Sequence, residues 1–256
     1  MITLLNGETY LQEEIVGMAY DDEFYYGHLG KNALSSSSLK TILKSPKTYR
    51  NILNYGDPNS NNPALAAGKL AHWMLLEPKK LDDLWVVEAS SKNTKIYKEA
   101  KEEKGELVFL RKELNAAERL TDAVLRNEAA IKLLNKSEFE IPQVQMLEGL
   151  PFRGKCDIIQ GDTIIDYKTT AELNTFKYSA DKYGYDLQAW LYLKLFDKKK
   201  FTFLVIDKAS TDIGIFETTD EFLARGENKF KQAVDNYKYF FEQDNDLDQY
   251  VMRGIL

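Results

Sequence analysis

The stretch DIIQGDTIIDYKTT, residues 157–170, decides the fold. Gln160-Gly161-Asp162 reads as a turn between two strands, 151–159 and 163–169. Side chains two apart on a strand share a face, so Asp166 and Lys168 point the same way, and the hairpin brings Asp157 beside them. Two carboxylates that converge repel each other unless a hard cation lies between them, and oxygen donors of this kind suit magnesium or manganese. A lysine next to such a cation can orient a water or neutralise charge developing on a phosphate. Taken alone, an Asp-x-Lys pair near a turn is more often a solvated ion pair. The flanking Ile158, Ile159, Ile164 and Ile165 change that balance. They make both strands apolar on both faces, as in the interior of a covered sheet, where a charged group is costly without a purpose.

Working outward, residues 138–147 form a third strand, separated from the next by Glu148-Gly149, and the three make an antiparallel meander. A long helix from 111 to 135 carries Leu114, Ala117, Leu120, Val124, Ile131 and Leu134 at helical spacing and is expected to cover this sheet. Beyond the meander the pattern predicts a helix over 185–196, strands over 201–206 and 213–217, and a terminal helix over 220–243. Upstream, SSSSLKTILKSP (35–46) is a serine-capped helix stopped at Ser45-Pro46, with further helix to Tyr55. A loop rich in Asn, Asp and Pro follows from Gly56 to Pro63, then the compact apolar helix ALAAGKLAHWMLLEP (64–78), closed by Pro78. Residues 84–88 read as a strand, and the evenly spaced Lys92, Lys95, Lys98 and Lys101 as an exposed basic helix or loop. The first 33 residues are acidic and tyrosine-rich without clear periodicity, and read as an irregular arm or edge structure.

With 256 residues and 44% hydrophobic content, the chain can bury a substantial core, and one domain is the reading adopted: an arm (1–33), a core (34–208) and a closing strand and helix (209–256). No basic start precedes an apolar stretch, and no uncharged run approaches the roughly 18 residues of a membrane span, so a cytoplasmic protein is expected. A single cysteine, Cys156, excludes an internal disulfide and any four-cysteine zinc or iron-sulfur site. The net charge of −6 is unevenly spread: residues 1–30 hold six acids and no Lys or Arg, and 207–256 hold eleven acids against six bases. Residues 31–206 therefore carry +5, from −6 less the −6 and −5 of the two ends, the sign needed for phosphate contact.

Several separated motifs, in order, resemble the RecE-type nucleases of exonuclease VIII, a phage and prophage branch of the PD-(D/E)xK superfamily. SSSSLKTILKSP is similar to that family's serine-rich helix, GKLAHWMLLEP to its Gly-x-x-x-His helix, RGKCDII and IIDYKTT to its two acidic strands, and DLQAWLY to its Gln-x-x-x-Tyr helix. The resemblance spans roughly residues 34–208. It implies an α/β, restriction-endonuclease-like core with a mixed central β-sheet flanked by α-helices. By it, Asp157 and Asp166 are metal-ligating carboxylates, His72 and the backbone carbonyl of Tyr167 join the metal shell, and Lys168 helps activate the attacking water. The upstream acid is Glu138, with Glu140 two residues on as the alternative, and Gln188 and Tyr192, one helical turn apart, lie near the active site and the DNA backbone. Cys156 occupies the proline position of the superfamily pattern, which has no chemical task.

The resemblance further implies a magnesium-dependent exodeoxyribonuclease, with manganese as a substitute. It would degrade linear duplex DNA from its ends, 5′ to 3′, and leave 3′ tails for a RecT-like single-strand annealing protein. It also implies a ring-shaped homo-oligomer, encoded by a phage or prophage and acting in the bacterial cytoplasm without a membrane. A RecB-like or CRISPR-associated nuclease without its cluster, and a catalytically silent DNA-binding scaffold, are the rivals. A non-haem iron oxygenase needs two histidines with a carboxylate, and His28 and His72 lack that spacing. Without the resemblance His72, among Leu70, Trp73, Leu75 and Leu76, is an ordinary core histidine, and Trp73 and Trp190 are core residues.

Overall fold

The hairpin at Gly161 lies within a five-stranded sheet in the computed structural model, which describes residues 1–58 and 63–251. The first 33 residues are not an irregular arm. β1 (Ile2–Thr3) and β2 (Thr9–Tyr10) form a small antiparallel ladder, followed by α1 (Gln12–Met18), a π-helical turn over 23–28 and α2 (Leu29–Asn32). Ile15 and Leu29 are fully buried and cluster with Leu4, Tyr25 and Val144. Elements this short have too few residues to display a period, and burial against the rest of the chain stabilises them instead.

α3 (Ser36–Lys44) and α4 (Pro46–Tyr55) meet at Ser45, which closes one and caps the other, its hydroxyl accepting the Thr48 N–H at 3.2 Å. Part of the expected Asn- and Pro-rich loop, 59–62, lies outside the described residues. α5 (Pro63–Leu76) stops one residue before Glu77-Pro78, as Pro78 dictates. β3 (Trp85–Val87) and β4 (Val108–Leu110) pair in parallel as a separate ladder, and the lysine-spaced stretch between them is helical, α6 (Lys95–Lys104). The helix expected over 111–135 is two, α7 (Arg111–Arg126) and α8 (Glu128–Leu134). Asn127 separates them as an N-cap, its side-chain Oδ1 accepting the N–H groups of Ala129 and Ala130, both at 3.0 Å.

The main sheet runs β5 (Glu138–Leu147), β6 (Leu150–Gln160), β7 (Thr163–Thr170), β8 (Lys200–Asp207) and β9 (Ile213–Glu217) in that spatial order. All neighbours are antiparallel except β7 and β8, whose parallel pairing needs a crossover. That crossover contains α9 (Phe176–Lys182) and α10 (Tyr185–Leu195). The terminal helix α11 (Asp220–Tyr237) ends before 243 and gives way to a π-helical turn over 238–242. Ile159 and Ile164 pack on one face with residues of α3, α10 and α11, and Ile158 and Ile165 on the other with residues of α5 and α7. The protein is thus α/β, with a mixed sheet between helical layers. Cys156 is buried and free. Among the described residues no helix is long and apolar enough to cross a membrane.

Candidate metal centre

The site is made by a fork in the sheet. β6 stays paired with β5 down to Leu150, and β7 with β8 down to Thr170, but the ladder between β6 and β7 ends at Ile158 and Ile165. Below that pair the strands diverge, and the Asp157 carboxylate spans the opening: Oδ2 accepts the Tyr167 N–H at 2.8 Å. A backbone donor freed from its ladder and buried must find an acceptor, and Asp157 supplies one.

His72 reaches the fork from α5. Its Nε2 lies 3.2 Å from Asp157 Oδ1 and 3.3 Å from Glu140 Oε1, and its Nδ1 lies 3.8 Å from Glu77 Oε2. The imidazole is tilted against the Tyr167 ring, with centroids 6.4 Å apart. On the other side Asp166 is 1% exposed. Its Oδ1 accepts from Gln188 Nε2 at 2.8 Å, and Oδ2 is ion-paired with Lys168.

Of the two upstream acids it is Glu140 that joins the centre. Phe139 pairs with Ile158 and Ile141 with Cys156, which sets Glu140 opposite Asp157. Glu138 is exposed and has no contact with His72 or Asp157 among the described residues, so the first-choice upstream acid does not stand at the centre. Regular alternation would turn both glutamates the same way, but Glu140 has φ of 54°, and the left-handed backbone interrupts the ladder between them. Gln188 reaches Asp166 from α10. Tyr192, one turn on, packs against Phe196 and Phe201 inside the core and does not line the cleft. Tyr167 meets Asp157 through its N–H and His72 through its ring, neither being the carbonyl that the resemblance assigned to the metal. His28 sits apart, 3.0 Å from Glu8.

The electrostatics are those of crowded, buried acids. Burial, with Asp157 beside it, pushes Glu140 up to about 8. Burial also pushes Asp166 up to about 6 against the pull of Lys168. Burial opposes charge on His72, but Asp157 and Glu140 outweigh it and carry the imidazole to about 9. Asp157 stays below the usual carboxylate range despite its burial, held there by His72, Lys168 and the Tyr167 N–H. Burial opposes charge on Lys168 as well, but Asp166 and Asp157 keep it firmly protonated.

This donor set fits a divalent cation. Glu140 Oε1 and Asp166 Oδ2 are buried without a directed hydrogen bond, and the potential ligand atoms of His72, Glu77 and Glu140 lie within 4.8 Å of one another. Carboxylate oxygens with one imidazole suit a hard or borderline metal, and such a cation would compensate the charge of these crowded carboxylates. Glu77 was invisible in the sequence, where it appears only as the residue before a helix-ending proline.

The centre opens into a cleft of about 960 Å³ whose lining includes Tyr26, Lys69, Trp73, Lys80, Tyr185 and Lys208. Trp73 packs edge-on to Phe109 as a core residue should, with ring centroids 6.2 Å apart, yet its ring also faces the cleft under Lys69 Nζ at 4.4 Å. Trp190 packs on Phe230 as expected.

The family described as a PDDEXK-like domain of unknown function (DUF3799) matches residues 35–247, well over half of the chain. The chain belongs to this PDDEXK-like family. A protein from Eubacterium rectale, provisionally designated an exonuclease, shares this PDDEXK-like architecture in its crystal structure. Its TM-score is 0.69 at 17% identity, over 97% of each chain. A phage-related exonuclease from Haemophilus somnus 129PT aligns at 15% identity and a TM-score of 0.36, over 83% of this chain and 96% of its own, a likeness too slight to carry weight. None of the curated proteins matches. The fold is therefore that of PD-(D/E)xK nucleases, as the motif order implied.

Proposed function

We propose that this chain is a divalent-metal-dependent deoxyribonuclease that acts on the ends of linear duplex DNA. The observation that carries the reading is the fork itself. It faces Asp157, His72 and Glu140 across from the ion-paired Asp166 and Lys168, inside a lysine- and aromatic-lined cleft. When bound by His72, Glu140, Asp157 and Asp166, a divalent cation supplies Lewis acidity and charge neutralisation at a phosphoryl group. The chain's own groups do the rest. Lys168, kept cationic by two carboxylates, offers a fixed positive charge where a phosphorane builds negative charge. Gln188 fixes the rotamer of Asp166, and the Tyr167 N–H fixes that of Asp157, so neither carboxylate has to reorganise. Lysines along the cleft attract the phosphates of the strand.

The oxygen-rich donor set favours magnesium or manganese. Attack from 5′ ends, 3′ tails for a RecT-like annealing partner, a ring of subunits and a phage or prophage origin in a bacterial cytoplasm complete the proposal. They rest on the order of the RecE-like motifs alone, and the name given to the Eubacterium rectale protein supports only the exonuclease part of the reading. The test is digestion, with magnesium, of linear duplex DNA labelled separately at each end, beside a closed circle and Lys168→Ala protein. Early loss of 5′ label from linear DNA only, abolished by the substitution, is expected. Cutting of the closed circle assigns an endonuclease instead, and absence of any lysine-dependent cleavage with magnesium or manganese rejects the nuclease reading.

A further inference from the structure

Lys40, on α3, lines the cleft and takes no part in the metal centre. Its stem lies along Gly184, where an added Cβ would stand 3.5 Å from the Lys40 Cγ and Cε. Gly184 is the N-cap of α10, with φ of 61°, a left-handed backbone that favours glycine. Its ammonium ends 3.4 Å from Gln188 Oε1 and 5.3 Å from the centroid of the Tyr185 ring. Lys168 Nζ stands 5.5 Å from the same ring. Two lysines thus flank one tyrosine, but they are not equivalent. Lys168 is neutralised by Asp166, whereas Lys40 forms no ion pair among the described residues. Gln188 cannot supply the missing charge, since it is neutral and its amide nitrogen is committed to Asp166.

A half-buried ammonium at a cleft wall, with no carboxylate in ion-pair contact among the described residues, has donor capacity left for an anion that arrives with the ligand. Burial and the nearby Lys168 pull the Lys40 pKa down to about 8, against the opposing attraction of Asp166 and Asp186. We propose that Lys40 anchors a phosphate-binding subsite that takes a phosphoryl group of the nucleic-acid strand at the α3 and α10 wall of the cleft. Gln188 lies between this subsite and Asp166, bonded to both sides. A strand held by Lys40 is thereby registered against the metal centre through a single side chain. The choice of a phosphate of nucleic acid, over another anion, rests on the nuclease reading.

The test uses full-length protein freed of metal by chelation, titrated with inorganic phosphate and with thymidine 5′-monophosphate in a calorimeter. The same titrations are run on Lys40→Met and Lys40→Arg. Loss of a charge-assisted hydrogen bond weakens binding about tenfold or more in Lys40→Met, while Lys40→Arg retains it. Ligand-free Lys40→Met is expected to melt close to the parent temperature, because the half-buried ammonium makes no ion pair among the described residues that the substitution would break. A fall in melting temperature with phosphate binding unchanged assigns Lys40 to packing and overturns the proposal, as does a parent that binds neither probe. DNA with 5′-phosphate and 5′-hydroxyl ends separates the two sources. A KM raised by Lys40→Met only on phosphorylated ends identifies a terminal phosphate, and one raised equally on both identifies an internal one. Lys40-dependent phosphate binding by a parent that cuts no DNA would sustain the subsite and reject the nuclease. Active parent protein whose Lys40→Met variant keeps its KM and phosphate affinity would do the reverse.

Discussion

At Glu140 a single backbone dihedral decides which acid belongs to the centre. Glu140→Gln removes a carboxylate that contacts His72, and should lower metal affinity and DNA cleavage by about 100-fold, within the range for residues that hold or orient metal ligands. Glu138→Gln, at an exposed position, should stay within about twofold of the parent, as surface changes do. Calorimetric titration with manganese and the end-label assay read both. Equal losses would return Glu138 to the site. Asp157, Asp166 and Lys168 were legible because a Gly-containing turn and a two-residue spacing fix their faces. Glu140 was not separable from Glu138, since a φ of 54° at a glutamate leaves no mark in the sequence. A second residue-level expectation concerns Asp207, whose carboxylate accepts the N–H groups of Ala209 at 2.8 Å, Ser210 at 3.0 Å and Leu173 at 2.9 Å. The Ser210 and Ala209 bonds lead in holding its pKa below the usual range. A depressed carboxylate stabilises above the unfolded pKa of about 4 and loses that contribution as pH falls through the folded value. Asp207→Asn should therefore melt lower than the parent at pH 7, with the gap closing towards pH 3. A gap that is constant with pH would show that the charge of Asp207 plays no part.

Helix contacts carry the positions of these residues, and two glycines show how differently. At Gly226 on α11 a Cβ would meet the Asp186 carbonyl oxygen at 2.1 Å and the Trp190 Cβ at 3.0 Å. Gly226→Ala must push α10 away, at a cost of about 1–3 kcal/mol or more, and α10 carries Gln188, which orients Asp166. A lower melting temperature together with weakened cleavage is expected. An unchanged melting temperature would mean that the two helices are not packed this closely. Gly68, where α5 passes β7, is different: the nearest atom to a Cβ there is Thr169 Oγ1 at 3.5 Å, an ordinary contact. Gly68→Ala should leave stability equal or raise it by up to about 1 kcal/mol through helix propensity. Most helices and the three meander strands were readable because caps, prolines and glycine turns bound them. The break at Asn127 was not, because a capping asparagine falls inside an uninterrupted apolar period. The end of the ladder at Ile158 and Ile165, which makes the fork, has no local signature either, being set by what β5 and β8 pull apart.

For the molecule as a whole, the question is whether the first 33 residues fold with the sheet or ride on it. Their buried side chains meet β5 at Val144, Leu34 bonds through its N–H to the Pro151 carbonyl and through its carbonyl to the Arg153 N–H, and Asp22 pairs with both Lys80 and Lys155. Tyr26 lines the cleft, so this segment also forms part of the wall that a bound strand would touch. The Asp22 pairs are half-exposed and contribute little by themselves, of the order of 1 kcal/mol at most each. The apolar contacts decide the matter. Leu29 is fully buried, and Leu29→Ala should remove roughly 2–5 kcal/mol if the segment and the sheet unfold as one cooperative unit. For a chain of this size that is a fall in the melting temperature of roughly 5–15 °C, shared by every probe. Hydrogen exchange at β7 amides, distant from the substitution, should accelerate by the same free energy, since the only route to opening the central strands would be global unfolding. Unchanged protection of β7, with loss confined to residues 1–33, would show a separately melting attachment and restore the arm that the sequence pattern suggested.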